Sequence, residues 1–405
     1  VYALPVADAD AAVAASGDIA VTGTATASGT LALTIAGEEV DVAVSSGDTA
    51  TNVGDAIEAA INADLTLPVT AANTTGTVAV TAKFSGAAGN QISMDINRAA
   101  LDETPAGLTV TVDANLSSGA TNPTLDTALG NLGDTWYTEI VCPYQDDTSL
   151  TAIETAGATR IGPGVKRPFV AFVGYTDTRA NLLTALGAAG SRTRNSEFTS
   201  YIPVHGSPTT AFEIAASFTA MFAQRQAASV GRPVYGYSIP QVRAGDTNDL
   251  TYSVKDAGIK LGASYTMNAG SSVVAGDIAS TRIETNAGVA TAAYRFVSDY
   301  MPGLQLKIND LETTFGVAPF TNATVIDDGA PGGIANAVRP STAKSYAVQL
   351  VDRWQLLGIT KNRDDVVAGI VAEINAGNAG RIDISIPDDF ALGLRITAAL
   401  IEWDS

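Results

Sequence analysis

Between residues 17 and 120 apolar side chains recur at every second position, in short runs separated by turn residues. Ile19-Ala20-Val21-Thr22-Gly23-Thr24, Thr30-Leu31-Ala32-Leu33-Thr34-Ile35 and Val40-Asp41-Val42-Ala43-Val44 all alternate this way, and Ala36-Gly37-Glu38-Glu39 lies between the last two as a hairpin turn. A period of two collects the apolar groups on one face of an extended chain. The rhythm changes once. Val53, Ile57 and Ile61 recur at a spacing of four, with Asp48 or Thr49 available as N-cap, which predicts a helix. Strands resume at 69–72, 77–82, 92–96 and 108–113, and Gly86-Ala87-Ala88-Gly89-Asn90 reads as a tight turn needing positive φ. The region is expected to be a small β-rich domain with one helix.

The stretch Ser117-Ser118-Gly119-Ala120-Thr121-Asn122-Pro123 reads as a linker, and the period changes after it. Continuous apolar runs at 137–143, 169–174 and 199–204 predict buried strands, with a short helix near Leu150 and another over 181–186. A stronger helix follows. Ser207 is its expected N-cap, Pro208 its first residue, and Ala211, Ala215, Phe218 and Phe222 its apolar face. Strands alternating with helices predict an α/β layer with at least partly parallel strands. From about 255 the pattern is α+β: a strand at 282–285, then helical faces at Val289, Ala292, Phe296 and Tyr300, and at Leu304, Ile308, Leu311 and Phe315. Ser341 is expected to cap a helix with Ala347, Val351, Trp354 and Leu357 on one side, and Val366, Val367, Ile370, Val371 and Ile374 to form a last helix stopped by Gly377. Ile382, Ile384 and Ile386 then alternate as a strand. The expected fold class is therefore α+β / α/β multidomain, with a β-rich domain over 17–120, an α/β middle over 121–285 and a mixed α+β region over 286–405.

Composition narrows the function. The 405 residues carry 23 Lys plus Arg against 42 Asp plus Glu, a net charge of −19. That sign disfavours a nucleic-acid backbone or an anionic membrane surface as partner, because both need clustered cations. Charged residues are only 16%, below the roughly 25% usual for a globular domain, so part of the surface is expected to be covered by neighbours. No apolar run reaches the length of a membrane-spanning helix. Cys142 is the one cysteine, which excludes an intrachain disulfide and a cysteine zinc cluster.

Catalytic patterns are sparse. Gly236-Tyr237-Ser238-Ile239-Pro240 lacks the last glycine of a nucleophile elbow, and Gly162-Pro163-Gly164-Val165-Lys166-Arg167 has neither P-loop nor dinucleotide-binding spacing. His205 is the sole histidine, so a hydrolase reading would rest on it or on an acidic pair. The pairs Asp146-Asp147, Asp327-Asp328, Asp364-Asp365 and Asp388-Asp389 read as caps and solvated turns more readily than as calcium ligands or a glycosidase pair. Cys142 sits in an apolar strand and reads as a small buried hydrophobe. No catalytic residue, metal or cofactor is expected.

Both ends of the sequence are apolar. Val1-Tyr2-Ala3-Leu4-Pro5-Val6 reads as the tail of a strand, as if the polypeptide began further upstream. The final run puts Leu394, Ile396, Ala398 and Leu400 on one face of a strand and Ala399, Ile401 and Trp403 on the other. Such a strand is either central in its own sheet or added to the sheet of another subunit. An exposed one would otherwise invite aggregation.

Ordered blocks along the chain carry a resemblance. Tyr2-Ala3-Leu4-Pro5, Gly23–Thr30, Ile35-Ala36-Gly37, Ser46-Gly47-Asp48-Thr49-Ala50, Ala56–Ala63, Leu67–Ala71, Gly86–Asn90, Cys142-Pro143-Tyr144 and Arg232-Pro233 together resemble the tail sheath protein of contractile-tailed bacteriophages, in its Mu-like branch. The resemblance implies a structural subunit of the virion tail, made in the host cytoplasm and stacked as six-fold rings around a tail tube. It implies neighbouring subunits joined by strand sharing, with tube, baseplate and tail terminator proteins as further partners. It implies an outward position for 17–120 and an inner one for 286–405. A further N-terminal arm is expected to join at Val1, Tyr2, Leu4 and Val6, and Leu394, Ile396, Ala398, Leu400, Ile401 and Trp403 are the expected inter-subunit strand. The glycine-rich turn at 329–333 is an expected hinge. The alternative from composition is a bacterial surface adhesin or S-layer-like protein, which predicts tandem β domains throughout.

Overall fold

The computed structural model describes residues 2–188 and 190–395. It mixes helices with several small sheets. In the first region strands β1 (Ala14–Gly23), β4 (Val69–Thr74), β5 (Thr77–Ser85) and β7 (Leu108–Val112) form an antiparallel sheet in the order β4-β5-β1-β7. A second sheet runs β3 (Glu38–Val44), β2 (Gly29–Ile35), β6 (Met94–Ile96). Thus β1 and β2, adjacent in sequence, belong to different sheets. Helix α1 (Ala50–Ala63) packs against strands of both, capped by the Thr49 side chain, which accepts from Asn52 N–H. The alternation is obeyed: Val40, Val42 and Val44 are buried between exposed Asp41 and Ala43. Ile19, Leu33, Ile57, Val78 and Val80 meet in one core. Both hairpins close on two residues of positive φ, Ala36-Gly37 (54° and 85°) and Thr75-Gly76 (53° and 96°). That is the turn whose twist matches its strands.

The 117–123 stretch is not a free linker. Ser117 and Ala120 bridge antiparallel to Ser16 and Val13, so the chain enters and leaves this region side by side. Asn122 accepts from Ala88 N–H and donates to Asp146, tying the β-rich region to the middle of the chain.

The middle region is built on a parallel sheet in the order β12-β9-β8, from β8 (Glu139–Cys142), β9 (Val170–Tyr175) and β12 (Thr199–Pro203). Helices α2 (Asp126–Gly130), α3 (Asp147–Arg160) and α4 (Arg179–Leu186) lie along the connections, and a short ladder pairs β10 (Gly187–Ala188) with β11 (Ser191–Arg192). The helix near Leu150 is α3, a full 14 residues rather than a short one. Every residue of β9 is buried, as a central strand with both faces covered requires. Helix α5 (Ala211–Ala228) covers one face, and Phe218 and Phe222 both set their rings 4.9 Å from Phe172. Gly174 permits this approach: a Cβ there would lie 1.7 Å from the Ala211 carbonyl oxygen. The N-cap is Thr210, not Ser207. Glu213 accepts from the Thr210 N–H and hydroxyl, while Ser207 turns away to donate to the Arg243 carbonyl.

Strands β13 (Ser238–Arg243), β14 (Thr266–Ala269) and β15 (Ser272–Ala275) form an antiparallel sheet in the order β13-β15-β14, with helix α6 (Tyr252–Lys260) between β13 and β14 in sequence. Residues 282–285 form no strand. The Asn195 side chain accepts from the Ile283 and Glu284 N–H groups, leaving one isolated bridge, Glu284 to Ala290. The helical face expected at 289–300 is also absent: α7 begins only at Val297 and runs to Phe315, and Val289 is 61% exposed. Phe296 and Val297 pair instead with the 278–279 backbone. Short strands β16 (Thr324–Val325) and β17 (Ala337–Val338) precede α8 (Pro340–Leu356). Pro340 opens this helix. Ser341 lies inside its first turn, and its N–H and hydroxyl both donate to Asp328. Leu357, expected on the buried face, is 44% exposed past the helix end.

The last expected helix is helical only in its first part, at Val366 and Val367, and strand from Val371. Helix α9 spans only Arg363–Gly369, and β18 (Val371–Ile374) pairs antiparallel with β19 (Ile382–Ser385). Pro387 packs where a Gly369 Cβ would project, and Ile370 turns extended at ψ 123°. The β-branched residues then suit a pleated ladder better than another helical turn. Gly377 belongs to the hairpin loop.

Candidate assembly segments

Groups with chemical potential are consumed structurally. His205 is 2% exposed, its Nδ1 lies 2.5 Å from the Asp177 carbonyl oxygen, and its backbone N–H donates to the Asn248 side-chain oxygen. Burial holds its imidazole below the usual 6.5. The Cys142 thiol is pushed up to about 12 by burial and donates to the Tyr144 carbonyl, which makes it a poor nucleophile. Asp146 caps α3; burial alone would raise its pKa, but hydrogen bonds from Ser149 and Asn122 hold it below the usual range. Asp147 pairs with Arg194, Asp364 with Arg363, and Asp389 with Lys361. Hydrogen bonds from Ser341 lower Asp328. Among the described residues no three His, Cys, Asp or Glu side chains are grouped to hold a metal ion.

The expected N-terminal connection runs along the middle region without regular secondary structure from residue 2 to 9. Tyr2 stacks on Tyr137 at 5.6 Å between ring centroids while remaining 67% exposed. Leu4 is half-buried, and Val6 packs on the cluster that holds Leu125, Leu150 and Phe169. Val1 lies outside the described residues.

The C-terminal path is pinned at successive points. Lys307 of α7 is buried and donates to Asp388 beneath the Phe390 ring, 3.7 Å from its centroid. Burial pulls the Lys307 ammonium below its usual range, and the Asp388 hydrogen bond opposes that. Thr360 and Phe390 bridge, and Ala391 N–H donates to the Ile359 carbonyl. Gly393 leaves no room for a side chain: a Cβ would sit 2.2 Å from Pro233. Arg395 is half-buried among Phe296, Asp277 and Asp299. Leu392 and Leu394 point outward, 68% and 81% exposed. Leu394 is not in a strand here, and Ile396, Ala398, Leu400, Ile401 and Trp403 lie outside the described residues. Beside this path, the β18–β19 hairpin forms a sheet of two strands, with Val371 51% exposed.

Two features had little signature in sequence. Lys307 and Asp388 are far apart along the chain, and Arg395 reads there as one polar residue in an apolar run. A lone arginine in such a run was the only pointer. The expected hinge at 329–333 is tethered, since Arg339 donates to the Ala330 and Pro331 carbonyls.

No family model matches the chain. It is 27% identical over 407 residues to the "Mu-like prophage FluMu tail sheath protein" of Haemophilus influenzae (strain ATCC 51907 / DSM 11121 / KW20 / Rd), a match covering 99% of this chain and 81% of that protein. Among solved structures, the sheath tail protein of Desulfitobacterium hafniense superposes with a TM-score of 0.44 and 15% identity over 76% of each chain. The resemblance to Mu-like tail sheath proteins carried by the ordered blocks therefore extends along the whole chain.

Proposed function

We propose that this chain is a structural subunit of a contractile phage tail sheath, stacked as six-fold rings around a tail tube and shortening to drive the tube through the host envelope. The observation that carries this reading is the identity to a tail sheath protein over 99% of the chain. Neighbouring subunits are joined by strand sharing, with the segment from Leu394 onward as the donated strand and Val1–Val6 leading to an N-terminal arm. The outward Leu392 and Leu394 and the β18–β19 hairpin, a two-stranded sheet among the described residues, are consistent with such exchange, since main-chain hydrogen bonds at a sheet edge supply affinity. Residues 17–120 face outward, 121–285 lie between, and 286–405 face the tube. Tube, baseplate and terminator proteins are the remaining partners, in the virion tail. Contraction energy is stored at assembly: the contracted state lies lower and a kinetic barrier holds the extended one.

The test is electron microscopy of the chain expressed alone, beside a form truncated after Gly393. Tubes or stacked rings are expected from the first, and folded, unassembled subunits from the second. Ordered rings from the truncated form would refute the donated strand. Dispersed monomers from the longer chain would undercut the sheath reading.

A further inference from the structure

Arg395 occupies a built niche. Its guanidinium donates to both oxygens of Asp299, from Nη1 and Nη2 at 2.8 Å each. Nε donates to Asp277 at 2.9 Å, and the remaining contacts are to the Gly393 carbonyl and the Ser298 hydroxyl. The guanidinium carbon lies 3.6 Å from the centroid of the Phe296 ring. Phe296, Ser298 and Asp299 come from the start of α7, and Asp277 follows β15. The niche is thus assembled by elements distant in sequence. A forked, planar cation held by one carboxylate on two bonds has a fixed orientation, which a point charge would lack.

The placement matters because of the residues on either side. Gly393 and Arg395 face inward while Leu392 and Leu394 face outward, so the path, though in no regular element, alternates between inward and outward positions up to Arg395. The apolar run of the sequence continues from there. We infer that Arg395 is a positioning residue for subunit assembly: it fixes the point and direction from which the C-terminal segment leaves its own subunit to reach a second copy of the chain. This rests on the strand-sharing reading above. A chain held at its root loses less freedom when its far end binds, so anchoring raises affinity without adding a contact at the interface.

The test separates anchoring from simple charge neutralisation. Arg395→Met leaves the buried Asp299 and half-buried Asp277 carboxylates without their cation and is expected to lower both the melting temperature and assembly. The triple variant Arg395→Met, Asp277→Asn, Asp299→Asn removes that imbalance together with the anchor. It is expected to regain a melting temperature near that of the unmodified chain, yet to need at least about tenfold more protein to assemble (1.4 kcal/mol per tenfold). Assembly at the unmodified critical concentration by the triple variant would overturn the inference. A second variant inserts Gly-Ser-Gly-Ser between Arg395 and Ile396, leaving every residue of the niche in place. It is expected to raise the critical concentration several-fold with an unchanged melt; an unchanged critical concentration would again overturn the inference. The form truncated after Gly393 serves as reference. If it assembles, strand sharing itself fails; if only the anchor variants assemble normally, strand sharing stands and the role of Arg395 falls.

Discussion

The first β-rich region and the C-terminal helical region are held together by different means. Residues 14–116 bury an uninterrupted apolar core fed by two sheets and α1, and their two connections to the rest run side by side. Between 297 and 395 the core around Val351, Trp354 and Ile370 is supplemented by polar pairs that each bury at least one partner: Lys307 with Asp388, Asp310 with Trp354 and Arg353, and Asp299 with Arg395. Apolar burial is non-directional and tolerates small shifts. Buried charge pairs demand a particular geometry, and losing one partner is costly. The first region is therefore suited to be a self-contained attachment, and the second to hold a terminal path in one place.

That contrast can be broken from either side. The largest effect is expected at the buried pair. Asp388→Ala strands the Lys307 ammonium against Phe390 and Trp354 and is expected to cost about 3–5 kcal/mol, while a double variant adding Lys307→Met should recover most of it. Hydrogen exchange would locate the loss in α7 and 386–395 and leave α1 protected; equal loss in both regions would erase the distinction. Next, Ile57→Ala opens a cavity in the first core, costing about 2–5 kcal/mol. Measured by melting in the whole chain and in a 13–120 fragment, the cost should be the same in both. A fragment without a cooperative melt would show that this region is not self-contained.

The smallest effect concerns the middle region. His205 is buried with its pKa below 6.5, so between its folded value and 6.5 the unfolded chain binds more protons. Stability is then complete above pH 6.5 and falls as pH drops through that window, with a slope of at most about 1.4 kcal/mol per pH unit. Denaturant titrations at several pH values should show this slope, and His205→Asn should flatten it. A slope that persists in the variant would assign it to the carboxylates.

Local pattern was enough wherever a contact partner lies close along the chain. The β2–β3 hairpin, α1 with its Thr49 cap and the buried strands β9 and β12 could all be read from alternation, spacing and turn residues, because those signals report which face of an element is covered. Pattern failed where a distant group competed for the backbone. Asn195 took the N–H groups of 283–284, the 278–279 backbone took Phe296 and Val297, and pairing with β19 drew 371–374 out of a helix. The apolar C-terminal run was visible in sequence, but its restraint was not. The Arg395 niche exists only once α7 and the turn after β15 have been brought together by the folded core. Periodicity records whether a position is buried; it carries no record of which remote carboxylate or carbonyl will be waiting there.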